Sequence, residues 1–189
     1  MSDPDRLRRV LFPVELAEAE LRAKPAAAVA LLLRAGERGF EVLLVERARR
    51  EGDPWSGHIG LPGGMHRAED GSVLGTALRE TREEIGIDLS RHADVLGHMA
   101  PRAPANRPDV LVVPFVALAR GRVEPSIGAE VTSTFWAPLA DLPETRTRTD
   151  VQTSIGPLRV PAFVHEGRVI WGFTYRVLEE LLALLERGA

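Results

Sequence analysis

The chain has 189 residues with a net charge of −3, 44% of them hydrophobic and 27% charged. That length supports one core burying well over half of the unfolded surface, and the composition excludes a disordered or collagen-like chain. The absence of cysteine excludes a disulfide scaffold, a thiolate nucleophile and any Cys-based zinc or iron–sulfur site, and the mild acidity argues against wholesale nucleic-acid binding. Residues 1–24 read as an N-terminal helical extension, amphipathic from residue 3 and interrupted at Pro13, ahead of a domain over 25–189. Ala26 to Leu33 and Glu41 to Glu46 are apolar runs joined by a natural hairpin loop. Residues 47–71 are irregular and Gly-rich, and a helical pattern from Ser72 to Ile85 stops at Gly86, which suits a left-handed cap. Val95 to Met99, Val110 to Leu118 and Glu130 to Ala137 read as strands, followed by a polar, Thr/Arg-rich stretch over 143–153. Leu158 to Val164 and Arg168 to Ile170 form a last hairpin about His165-Glu166-Gly167, and Trp171 to Arg187 an amphipathic helix. Strands outnumber helices, and the helices are scattered among them, so the expected class is α/β with a mixed sheet (α+β).

The polar N-terminus lacks the apolar run of a signal peptide, and the longest apolar stretch, Pro25 to Leu33, is too short to span a bilayer. The chain is therefore expected to be cytoplasmic, without membrane or nucleic-acid partners. The amphipathic N-terminal segment is a candidate contact for a homodimer.

Chemistry concentrates between Leu61 and Ile87. On a helical wheel, Leu74, Ala77, Leu78, Thr81 and Ile85 share one arc that seats the helix on a core, and Glu80, Glu83 and Glu84 share a neighbouring arc. Three carboxylates within one turn repel, and a hard divalent cation relieves that repulsion. On the helix alone a solvated acidic face is the commoner meaning. Gly63-Gly64 just upstream shifts the balance, because glycine backbone approaches a ligand or metal without side-chain obstruction.

Arg79-Glu80-Thr81-Arg82-Glu83-Glu84-Ile85-Gly86-Ile87 resembles the second half of the Nudix hydrolase signature, G-x5-E-x7-R-E-U-x-E-E-x-G-U with U aliphatic, Thr81 standing at an aliphatic position. The first half is one residue longer than the signature, with Asp70 near the expected glutamate. That extension, with Asp70, Ser72 and Thr76 to Glu80, is similar to the coenzyme A pyrophosphatase branch, although Arg67 replaces an aspartate. Leu43 to Ala48, Gly57 to Gly64 and Trp171 to Leu178 resemble further elements of that branch, whereas its second upstream arginine falls on Gly52 or Asp53.

The resemblance implies an α/β/α sandwich with a mixed sheet and a signature loop–helix–loop. It implies that Glu80, Glu83, Glu84 and the Gly64 carbonyl bind Mg2+ or Mn2+, with Arg79 orienting the glutamates. The proton acceptor is then a signature glutamate, Glu80 or Glu84, or else Glu130, whose bland alternative is a surface charge at a strand entry. Arg47, Gly63 and His58 are the candidate substrate-binding residues. The implied activity is hydrolysis of a nucleoside diphosphate derivative, with coenzyme A or its thioesters giving 3′,5′-ADP and 4′-phosphopantetheine. The alternatives are ADP-ribose or another nucleoside diphosphate compound, and a nucleotide-binding module without catalysis. Trp55 is an adenine-stacking or loop-anchoring residue. Arg102 and Arg107 are phosphate clamps or surface charges, and Trp171 and Phe173 are expected in the core. Of 24 basic residues only Lys24 is a lysine, a bias that a GC-rich genome accounts for and that leaves many bidentate side chains for phosphate or carboxylate.

Overall fold

Ala26–Gly36 (β1) carries Ala, Val and Leu in near-continuous succession and is buried on both faces, as a central strand flanked by helices on either side must be. The computed structural model describes residues 3–17, 26–49, 57–153 and 156–187. Gly39–Arg47 (β2) returns antiparallel to the last residues of β1, and Leu111–Ala119 (β6) runs parallel along its other edge. Where β2 diverges, Gly63–Met65 (β4) takes over the same edge, pairing Val29 with Gly63 and Ala27 with Met65. Ile59–Gly60 (β3), Ala93–His98 (β5) and Val131–Pro138 (β7) complete a seven-stranded mixed sheet in the order β3-β2-β1-β6-β5, with β7 also on β2. Arg146–Thr153 (β8), Gly156–His165 (β9) and Arg168–Trp171 (β10) form a second, antiparallel sheet.

The period-2 alternation of β1 sorts its side chains into two cores. Ala30 and Leu32, with Leu43 and Val45, pack on Ile85 at the end of helix Val73–Ile85 (α2) and on Leu89 of the short helix Leu89–His92 (α3). Leu31 and Leu33, with Val42 and Leu44, pack on Val177, Leu178, Leu181 and Leu182 of helix Gly172–Arg187 (α4) and on Leu7 of helix Pro4–Val10 (α1). The result is the expected α/β/α sandwich. Among the described residues no helix is long and apolar enough to cross a membrane.

Most sequence expectations hold to within a residue or two. The lead-in helix is shorter than expected, ending at Val10 because Leu11 turns extended and Phe12 bridges to His98. Residues 18–25 of that segment, and the candidate stacking residue Trp55, lie outside the described residues. The Thr/Arg-rich stretch is not a plain connection, for its second part is β8, in register with β9 from Arg146 opposite Phe163 to Thr153 opposite Gly156. Trp171 closes β10 rather than opening α4.

Candidate active site

The Ser72 hydroxyl accepts from the Gly75 N–H at 2.9 Å and starts α2, and Gly86, at φ 69°, ends it. Ala77, Thr81 and Ile85 face the core, as the wheel predicts, while Leu74 and Leu78 of the same arc are half-buried and Val73, outside it, is buried; the acidic arc is not a solvated face. Glu80 and Glu84 are 8% and 2% exposed, while the Glu83 side chain is 48% exposed at the rim. Thr81 occupies its apolar position without an orphaned hydroxyl, donating at 2.7 Å to the Ala77 carbonyl one turn back.

Arg79 organises the outer side of the cluster. Its Nη1 donates to Glu80 Oε1 at 2.7 Å and to Glu83 Oε2 at 3.0 Å. Its Nε and Nη2 grip Asp70 at 2.6 and 3.1 Å, and Nη2 also reaches the Met65 carbonyl at 3.2 Å. The Asp70 side chain is 1% exposed and also accepts from the Arg67 N–H at 2.9 Å and the Thr76 hydroxyl at 2.8 Å. The Arg79 hydrogen bonds, with those from Arg67 and Thr76, hold the Asp70 carboxyl well below the usual carboxylate range. His66 Nδ1 stands 2.8 Å from the Thr76 hydroxyl and extends the network to the loop after Gly64.

Glu84 forms the inner side. Its Oε2 accepts from the Gly63 N–H at 3.1 Å, and its Oε1 lies 3.6 Å from Arg47 Nη1. Burial pushes its carboxyl up to about 7, with Glu80 and Glu130 adding to the rise and Gly63 and Arg47 opposing it. Glu130 is exposed, at the end of a loop docked on the C-terminus of α2. There the Gly128 N–H donates to the Glu84 carbonyl and the Ser126 N–H to the Ile85 carbonyl, each at 2.8 Å. A Cβ on Gly128 would fall 2.4 Å from the Glu83 carbonyl oxygen, so only glycine permits this approach.

The remaining candidates are scattered. His58 packs edge-on against Trp171 with centroids 4.7 Å apart. Arg102 pairs with Glu180 of α4, and Arg107 with Asp109 at 3.1 Å, so both are held in protein ion pairs. Phe173 packs against the small cluster of Ala27, Val110 and Val112. In the Asp70–Thr76–His66 network, Asp70 and Thr76 belong to the pattern noted in the sequence, whereas His66 carries no sequence signal.

The residues fit a hard divalent cation. A Cβ on Gly64 would lie 2.5 Å from Glu80 Oε1, so the backbone rests directly on that carboxylate, and two of the clustered carboxylates are buried oxygen donors beside it. Among the described residues no three His, Asp or Glu side chains converge at metal-ligand spacing; Arg79 and Arg47 meet the carboxylates in their place.

The sequence matches the NUDIX domain over residues 23–155. It is similar to the mitochondrial coenzyme A diphosphatase NUDT8 of Homo sapiens, 34% identical over 191 residues that cover 97% of this chain and 78% of that one. A Schizosaccharomyces pombe protein, C14C4.10c, is 42% identical over 123 residues, which cover 60% of this chain but only 37% of the yeast protein. Among solved structures, a NUDIX hydrolase from Alicyclobacillus acidocaldarius aligns with a TM-score of 0.58 at 20% identity, covering 86% of this chain and 93% of its own, a likeness of fold.

Proposed function

This chain belongs to the Nudix hydrolase family, and from that premise we propose that it hydrolyses the diphosphate of coenzyme A or its thioesters, releasing 3′,5′-ADP and 4′-phosphopantetheine, with Mg2+ or Mn2+. The observation that carries the reading is the burial of Glu80 and Glu84 beneath the Gly63-Gly64 backbone with Arg79 fixing the outer carboxylates. The similarity to the human coenzyme A diphosphatase over nearly the whole chain supports coenzyme A as the substrate.

Glu80, Glu83, Glu84 and the Gly64 carbonyl would hold the metal. A divalent cation held there would neutralise charge on the diphosphate and lower the pKa of a water, so that hydroxide becomes available as the nucleophile. Arg79, anchored by Asp70, keeps the buried Glu80 and the rim residue Glu83 gathered on one side of the site. The Gly63 N–H fixes the rotamer of Glu84 and thereby acts on the substrate only through that carboxylate. Arg47 lies beside Glu84, where its guanidinium would suit a phosphate, and His58 is its neighbour, its carbonyl accepting from the Arg47 N–H at 3.0 Å. Glu130, exposed and close enough to Glu84 to raise its proton affinity, accepts the proton of the attacking water. The water oxygen bonds to phosphorus as the bridging P–O bond breaks, so that each product keeps one phosphate of the diphosphate and 3′,5′-ADP retains its 3′-phosphate besides.

A substrate panel with Mg2+ and Mn2+ tests this on wild type, Glu83→Gln and Glu130→Gln. Coenzyme A is expected to turn over fastest, with Glu130→Gln lowering kcat about 10²–10⁴-fold while metal affinity holds. ADP-ribose turning over well above coenzyme A would replace the substrate assignment, and full activity in Glu83→Gln would remove Glu83 from the metal site.

A further inference from the structure

The β2–β7 ladder is interrupted beside the site: Glu46 pairs with Ser133, but the next residue, Arg47, pairs with Val131, so Thr132 is the extra residue of a bulge. The bulge is fixed from both sides, the Thr132 hydroxyl donating to the Glu46 carbonyl at 3.2 Å and the Ser133 hydroxyl to Glu46 Oε2 at 2.8 Å. Bulges re-aim the side chains next to them, and here the re-aimed residue is Arg47, whose guanidinium lies 3.6 Å from the almost fully buried carboxylate of Glu84.

The two arginines meet the carboxylates of the site at different distances. Arg79 is locked by Asp70 and the Met65 carbonyl at 2.6 to 3.2 Å, so it stays put whether or not a metal arrives. The Arg47 contact with Glu84 is longer, 3.6 Å, and its side chain is 29% exposed. A guanidinium and a divalent cation are like charges that both favour one buried carboxylate, and they cannot both approach it closely without repelling.

We propose that Arg47 is a displaceable counter-cation: it neutralises Glu84 in the metal-free protein, yields that carboxylate to the divalent ion, and turns its guanidinium to the substrate's diphosphate. The proposal rests on Glu84 being a metal ligand. It makes Arg47 a competitor of the metal, so removing its charge strengthens metal binding. An arginine that only contacts phosphate leaves metal affinity unchanged, and one that only supports the fold weakens it.

The test is titration of the full chain with Mn2+ alone, without substrate, by calorimetry and by the loss of the free-ion electron spin resonance signal. Arg47→Gln is expected to bind Mn2+ about tenfold more tightly than wild type, and to raise KM for coenzyme A when Mn2+ is saturating. Arg47→Met, which retains the aliphatic stem, carries the same expectation should the glutamine variant not fold, and melting in EDTA checks that each variant is folded. Unchanged or weaker Mn2+ binding by a folded variant overturns the proposal. A wild type that takes up no Mn2+ overturns the metal site itself, and the counter-cation with it.

Discussion

Asp70 bonds to Arg79, and through that guanidinium the geometry of Glu80 and Glu83 depends on it. Its carboxyl titrates lower in the folded chain than in the unfolded one, chiefly through Arg79. Such a group adds stability that is fully present above its unfolded value near ~3.9 and is lost as the pH falls through its folded one. Asp70→Asn should therefore cost about 2 kcal/mol at pH 7, a difference that shrinks as the pH drops below about 4; urea denaturation at both pH values measures it. Glu84 has the opposite sign. Burial raises its value to about 7, so its contribution to folding is most favourable below the unfolded value near ~4.3 and erodes as the pH rises through 7. In EDTA, Glu84→Gln should melt about 5 °C above wild type at pH 8, with the gap closing by pH 5, while losing turnover; scanning calorimetry at the two pH values decides it. Arg79 entered through the family resemblance, whereas the clustering of Glu80, Glu83 and Glu84 was legible because their spacing is local to one helix. The inward rotation that buries Glu80 and Glu84 was not, since a wheel orders side chains around an axis without saying how much of the circumference the neighbours cover.

Helix α2 was readable in the sequence because both its ends carry chemistry: Ser72 caps one and Gly86 terminates the other. Strand β8 was not. Its Thr–Arg alternation gives no apolar face, and only Val151 among its residues is buried, so its identity comes from pairing with β9 rather than from its own side chains. α3 has four residues and is too short to leave a periodic trace. The loop carrying Glu130 shows how a connection gains precision from a neighbouring helix. Gly128→Ala would push that loop off the C-terminus of α2 and move Glu130, lowering kcat about a hundredfold with Mn2+ affinity retained. Paired calorimetry and steady-state kinetics separate the two effects.

Across the whole molecule, the layering followed from the pattern of β1, whose alternate residues were bound to face two helical cores. The placement of Arg47 and Glu130 beside α2 did not follow, for it arises from the β2–β7 pairing, including its bulge, which joins residues far apart in the chain. One junction has a kinetic consequence. The amide of Ala30 donates to the Pro62 carbonyl at 2.9 Å and that of His66 to the Ala26 carbonyl at 2.9 Å, so the glycine strand is clasped to β1 at both of its ends. Exchange of these two amide protons with deuterated solvent then requires the clasp to part, which makes them resident reporters of how often the Gly63–Met65 strand leaves the sheet. Adding Mn2+ should slow exchange at Ala30 and His66 specifically, leaving amides of β8 and β9 at their metal-free rates. The site thus carries its own clock, readable residue by residue without a substrate.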